Sequence, residues 1–340
     1  MSLERRFWFA GLAVITVIML CVVGLLVWET KQVENDAEQR FNMSEFITVT
    51  SSQIITENMK KDRVAADSTV VKINNDVVVE NAGNEFYVYD TATLNCKLVA
   101  VSPDEPTSVG PAGDNQFGYI VPEVLGDDIF SKLSFVDTTT GVAVDAVNSA
   151  GKPFDVLSWA AVSGNQVVVQ ENGTNLMYLY DVNTGNSSLV GKFDTIGGSA
   201  GPNQVWFYDA VSNKDVSLYD TVTGSTTVLD FPGPQGSIIT QISTLPDGSV
   251  LWRFTGVKDD PDRNTQEVMI QSPAGYTRTV FSSLQTETSF VNPVQFTDDG
   301  SLLAVSVSRD STPEILIIDT KSGVTVNEQP GRLLWFQSAL

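Results

Sequence analysis

Two hydrophobic patterns divide the chain. Between Phe7 and Val27 almost every residue is apolar, and about 20 residues rising ~1.5 Å each would cross the roughly 30 Å hydrocarbon layer of a bilayer as one helix. From about Val70 onward the apolar residues come instead in short β-rich runs, each stopped by Gly, Pro, Asn or Asp; Val77-Val78-Val79, Phe86 to Tyr89 and Phe117 to Val121 are the first of them. This is the grammar of strands and hairpin turns.

One phrase closes these runs repeatedly: an aromatic or aliphatic residue and Asp, two further residues, then Thr/Ser-Gly. It reads Val136-Asp137-Thr138-Thr139-Thr140-Gly141, Tyr180-Asp181-Val182-Asn183-Thr184-Gly185, Tyr219-Asp220-Thr221-Val222-Thr223-Gly224 and Ile318-Asp319-Thr320-Lys321-Ser322-Gly323, with a degenerate copy from Tyr89-Asp90 to Leu94-Asn95. The Asp carboxylate can accept from backbone N–H groups just ahead, and Gly can take the positive φ that closes a hairpin. The copies recur at about 40 to 47 residues, and once at about twice that, the period of four-stranded propeller blades. Six hairpins line up, so the sequence predicts an all-β, six-bladed β-propeller, with seven the alternative count. Near the end, Leu333-Leu334-Trp335-Phe336 matches the first strand of blade three, Trp335 falling where Trp159 does. Blade one shows no obvious first strand upstream of Val70. The C-terminal segment is therefore expected to supply it, latching the ring with both chain ends.

Flanking residues orient the apolar run. Arg5 and Arg6 precede it, Trp8 and Trp28 sit where interfacial aromatics belong, and no small-x-small cleavage pattern follows; this predicts a retained anchor with its N-terminus inside. The expected organisation is residues 1–6 cytoplasmic, 7–28 one transmembrane helix, 29–66 a polar stalk, and 67–340 the propeller on the extracytoplasmic side of a cell membrane. Within the stalk, Phe46-Ile47-Thr48-Val49-Thr50 reads as a strand or a strap on the propeller.

Composition narrows the chemistry. The 340 residues carry 20 Lys and Arg against 41 Asp and Glu, a net charge of −21, which argues against nucleic acid and anionic surfaces as partners. Histidine is absent, so Ser-His-Asp and Cys-His nucleophile systems and His-ligated zinc, copper or haem cannot be built from this chain. Cys21 lies in the apolar run and Cys96 in the β-domain, so no disulfide framework is expected.

The phrases Pro246-Asp247-Gly248-Ser249 and Asp298-Asp299-Gly300-Ser301-Leu302-Leu303-Ala304-Val305, followed by Ile318-Asp319-Thr320-Lys321-Ser322-Gly323, resemble the TolB/YVTN-type and quinoprotein-like bacterial β-propellers over roughly residues 70 to 340. The resemblance implies a propeller. It implies no one activity, because that class mixes binding modules, assembly factors and enzymes.

The nearest approach to a metal site is Asp259-Asp260-Pro261-Asp262-Arg263-Asn264, where Asp260, Asp262 and Asn264 have the spacing of a calcium loop. Thr265 stands where that loop needs Gly and Gln271 where it needs Glu, so a solvated inter-strand loop is the preferred reading and no cofactor besides calcium is in view. Asp298-Asp299 reads as turn acids. Trp159, Trp206, Trp252 and Trp335 could form stacking platforms, but their repeat-equivalent positions favour packing between blades. No catalytic residue stands out. The sequence thus predicts a non-catalytic, membrane-anchored propeller, an accessory or scaffold subunit of an integral membrane-protein complex of respiratory, transport or envelope-building type. The alternatives are a ligand-binding or sensor propeller, then a quinoprotein-like or polysaccharide-acting enzyme.

Overall fold

The computed structural model describes residues 31–32, 46–50, 55–56, 68–74, 76–125, 128–208, 216–255, 265–284, 288–297, 299–309, 312–331 and 333–338. The apolar run with Trp8 and Trp28, and the acidic loop with Asp260, Asp262 and Asn264, lie outside these residues. Among the described residues no helix is long and apolar enough to cross a membrane.

Strands β1 (Phe46–Thr50) and β2 (Ile55–Thr56) precede six sheets, each of four consecutive antiparallel strands. Blade one holds β3 (Thr69–Lys72), β4 (Val77–Ala82), β5 (Glu85–Asp90) and β6 (Asn95–Val101), with β2 added parallel to β6. Blade two holds β7 (Ser108–Gly113), β8 (Gln116–Leu125), β9 (Asp128–Asp137) and β10 (Ala143–Asp145). In blade three come β11 (Val156–Ser163), β12 (Gln166–Glu171), β13 (Leu176–Asp181) and β14 (Ser187–Lys192). Blade four has β15 (Thr195–Gly201), β16 (Gln204–Tyr208), β17 (Val216–Asp220) and β18 (Thr226–Leu229). Blade five has β19 (Ile238–Thr244), β20 (Val250–Thr255), β21 (Thr265–Gln271) and β22 (Thr277–Leu284). Blade six has β23 (Thr288–Phe296), β24 (Leu302–Arg309), β25 (Thr312–Asp319) and β26 (Thr325–Pro330). The six-bladed all-β propeller is thus the fold.

Side chains alternate across a strand, so a strand sandwiched between two blades is apolar on both faces. That explains runs such as Val167-Val168-Val169. Val167 and Val169 pack on Ile120, Leu133 and Phe135 of blade two, whereas Val168 joins Val205 and Phe207 of blade four. The same division recurs around the ring. Val79, Phe86 and Val88 meet Phe117 and Tyr119; Trp206 and Leu218 meet Ile242, Trp252 and Phe254; Leu251 and Val268 meet Leu303, Val305 and Leu316. Each such side chain contributes about 1.5–3 kcal/mol by leaving water.

The repeated phrase does what its chemistry predicts. Asp137 Oδ1 accepts from the N–H groups of Thr139 at 3.0 Å and Thr140 at 2.7 Å, and Gly141 N donates to Asp137 O at 2.8 Å. Asp90, Asp181 and Asp220 repeat both contacts, and Asp319 accepts from Ser322 N. Gly141, Gly185, Gly224 and Gly323 stand at φ between 68° and 73°. In the degenerate copy Leu94 takes that conformation, at φ 59°, and still donates to Asp90 O.

The C-terminal strand does not complete blade one as expected. Thr69–Lys72 is blade one's own first strand, with Thr69 opposite Asn81 and Lys72 opposite Val78. Four residues bracketed by Thr and Lys are too short and too polar at the ends to stand out as a hydrophobic run. The C-terminal strand β27 (Leu333–Ser338) pairs with β1 instead, Phe46 opposite Ser338 and Val49 opposite Trp335, in a two-stranded sheet. β27 lies against β23 and β24, and Leu333 packs with Leu302, Ala304, Ile315 and Ile317. Residues 46–50 and 333–338 thus form a sheet of their own, which supplies no strand to blade one.

Candidate functional site

Because each blade is antiparallel, its first-to-second and third-to-fourth strand turns lie on one face of the ring. The residue after the turn Asp ties them together. Thr138 donates to Asn115 O through both N and Oγ1 at 2.9 Å, and Thr221 N to Asn203 O at 2.8 Å; Val182 N reaches Asn165 O and Thr320 N reaches Ser301 O. The carboxylates of Asp90, Asp137 and Asp220 are held below the usual range, chiefly by the backbone N–H of Thr93, Thr140 and Thr223 respectively. At Asp299 burial opposes ionisation, but hydrogen bonds from Thr297 Oγ1 and from Ser301 N and Oγ outweigh it. The turn acids Asp90, Asp137, Asp220 and Asp299 of this polar face are engaged by their own turns.

Three cavities open on it. One of 420 Å³ lies between blades one and two, bounded by Asp90, Lys97, Asn115 and Thr139. Lys97 Nζ donates across the blade junction to Thr139 O at 3.3 Å, and Cys96, a buried reduced thiol, lies at the lining. A second, of 480 Å³, lies between blades five and six, with Asp247, Arg278, Asp299 and Lys321 around it and the exposed ring of Tyr276 beside it. The third, 620 Å³, sits among the ends of the first strands of blades four, five and six, at Ser199, Ser243, Thr244 and Phe296. The first two mix both charges. Among the described residues that line the third, none is charged.

The tryptophans serve packing. Trp206 and Trp252 are buried between blades four and five, Trp252 Nε1 donating to Gln271 Oε1 at 3.1 Å. Trp159 lies edge-on to Phe135 and covers Gly118, where a Cβ would meet the indole at 2.8 Å. The side chain of Trp335 is outside the described residues. Among the described residues, no three of His, Cys, Asp and Glu group to hold a metal ion.

Two polar positions inside the apolar runs escaped the sequence reading. Glu80 is fully buried with Val78, Tyr87, Tyr89 and Cys96, on the face of blade one turned away from blade two, and accepts a hydrogen bond from Tyr89 Oη. Burial first, then Glu80, pushes the Tyr89 phenol far above its usual value; burial and the 2.6 Å bond to Glu85 push Tyr87 up to about 12. The signal was present in Val78-Val79-Glu80, where strand alternation puts Glu80 on the side of Val78. Gln170 is likewise fully buried. Its Oε1 accepts from Ser158 Oγ at 2.9 Å and Ile196 N at 3.1 Å, and its Nε2 donates to Asp194 O at 2.7 Å, tying blade three to blade four.

Fold and turn face together define a β-propeller. No family model matches the chain, and no curated protein matches it. Among solved structures it is similar to TolB from Acinetobacter baumannii, with a TM-score of 0.50 and 16% identity over 74% of this chain and 62% of that one. It is similar also to the β-propeller domain of Myceliophteria thermophila Cps50 (Swd1), at 0.51 and 13% over 79% and 87%. Dihydro-heme d1 dehydrogenase NirN, in complex with DHE, aligns at 0.48 and 13% over 85% and 73%. At such identities the likeness speaks for the fold alone.

Proposed function

We propose that this protein is a non-catalytic propeller, held on the extracytoplasmic side of a membrane by the apolar segment at residues 7–28, and an accessory or scaffold subunit of a membrane-protein assembly. The observation that carries this reading is the β8–β9 hairpin. Its strands have ten residues each where the other second and third strands have five to eight. Near its tip Val124 and Ile129 face each other across the ladder, 67% and 72% exposed. Paired aliphatic side chains on a projecting hairpin are a poor choice for a surface that meets only water, and a good one for a partner's pocket. Tethering supports the same reading, since it raises the local concentration of a weak partner without adding a contact.

The test is purification of the full-length protein in mild detergent, with mass spectrometry of what stays bound, beside the double variant Val124→Ser, Ile129→Ser. A defined membrane complex retained by the parent protein and reduced at least about tenfold by the variant is the expected result. Recovery of the parent protein alone, at low and moderate salt, counts against the accessory-subunit reading.

A further inference from the structure

We propose that the 620 Å³ cavity on the turn face binds a neutral saccharide. Its size comes from the sequence of β15, Thr195-Ile196-Gly197-Gly198-Ser199-Ala200-Gly201, which brings few side chains to that wall. Trp206 makes one of these glycines obligatory: a Cβ on Gly197 would lie 2.2 Å from its indole. A cavity of several hundred Å³ with a few placed polar groups is the usual form of a small-molecule site.

Its lining selects the ligand class. Ser199 and Ser243 bring hydroxyls, Gln204 an amide and Phe296 a ring, and among the described lining residues there is no Asp, Glu, Lys or Arg. In a chain of net charge −21 that is a local exception. Hydroxyl and amide groups both donate and accept, which matches the mixed donors and acceptors of a sugar's hydroxyl groups. The ring of Phe296 suits the C–H face of a pyranose. An ionised ligand would leave a charge unpaired in the cavity.

The site is independent of the tether and of the β8–β9 hairpin, so its failure leaves the accessory-subunit reading standing, and the reverse. The experiment is titration calorimetry of the full-length protein in a detergent without a sugar headgroup, using cellobiose, maltose and chitobiose as probes and glucuronate as the charged comparison. At least one neutral disaccharide is expected to saturate with a Kd of about 1 mM, glucuronate binding at least about tenfold more weakly. Gln204→Ala should weaken binding about fivefold, and Phe296→Leu, which keeps the packing against blade five, about threefold or more. Lys321→Ala, in the neighbouring cavity, should change nothing. Thermal melting establishes that each variant is folded, and the two substitutions read the site separately. The proposal is overturned if no neutral disaccharide saturates, if glucuronate binds as tightly, or if both cavity variants bind as the parent does.

Discussion

At the scale of single residues the turns dominate. Gly224 stands at φ +68° with nothing closer to an added Cβ than Tyr219 Oη at 4.0 Å, whereas at Gly141, φ +71°, the Cβ would meet Val99 O at 2.2 Å. Gly224→Ala should therefore cost about 1–2 kcal/mol, the left-handed penalty alone, and Gly141→Ala distinctly more, because backbone rather than a flexible side chain must move. Urea denaturation of the two variants ranks them. The turn carboxylates add a pH dependence. Asp90, Asp137 and Asp220 are depressed in the folded protein, so their contribution is complete above the ordinary carboxylate value of about 4 and is lost as pH falls through the lower folded values. The triple variant Asp90→Asn, Asp137→Asn, Asp220→Asn should show a shallower acid limb in a plot of melting temperature against pH. These turns were legible in the sequence because their chemistry is local: Asp, Thr and Gly within six residues specify the geometry without help from elsewhere. Even Leu94 follows Asp90 into the left-handed region.

Elements are where legibility ends. The six hairpins could be aligned from their turns, but the partner of an isolated strand could not, since pairing between residues 46–50 and 333–338 has no local signal. The short apolar runs marked the strands. They did not reveal that Gln170 reaches Asp194 and Ile196 of the next blade connection, because a buried Gln and an exposed one look alike in sequence. Gln170→Ala would strand the buried Ile196 N–H, at about 1–3 kcal/mol, and remove the part-buried bond to the Asp194 carbonyl, about 1 kcal/mol more. Ser158→Ala removes only one donor to the same amide. Chemical denaturation should thus find the Gln170 variant destabilised by about 2–4 kcal/mol and the Ser158 variant by about 1 kcal/mol. Similar losses in both would remove Gln170 from its place as the tie between blades three and four. Of the candidate cavity, the sequence showed its glycines and hydroxyls but not their convergence, which depends on the ends of β15, β19 and β23 lying side by side.

For the whole molecule the consequential feature is that the segment expected to lead from the membrane pairs with the last strand of the chain. β1 pairs with β27, and β27 rests on blade six. Removing everything before the first blade would therefore take away more than a tether, and a soluble version has to begin ahead of Phe46. That pairing also leaves β27 no open edge toward β1. The most direct measurement is hydrogen exchange of residues 333–338 in the full-length protein and in a chain beginning at Ala66. Strand pairing across the ends requires the amides of β27 to be protected in the first and to exchange at least about tenfold faster in the second. Equal exchange in both would mean that β27 is held by blade six alone, and that the chain ends do not latch the propeller.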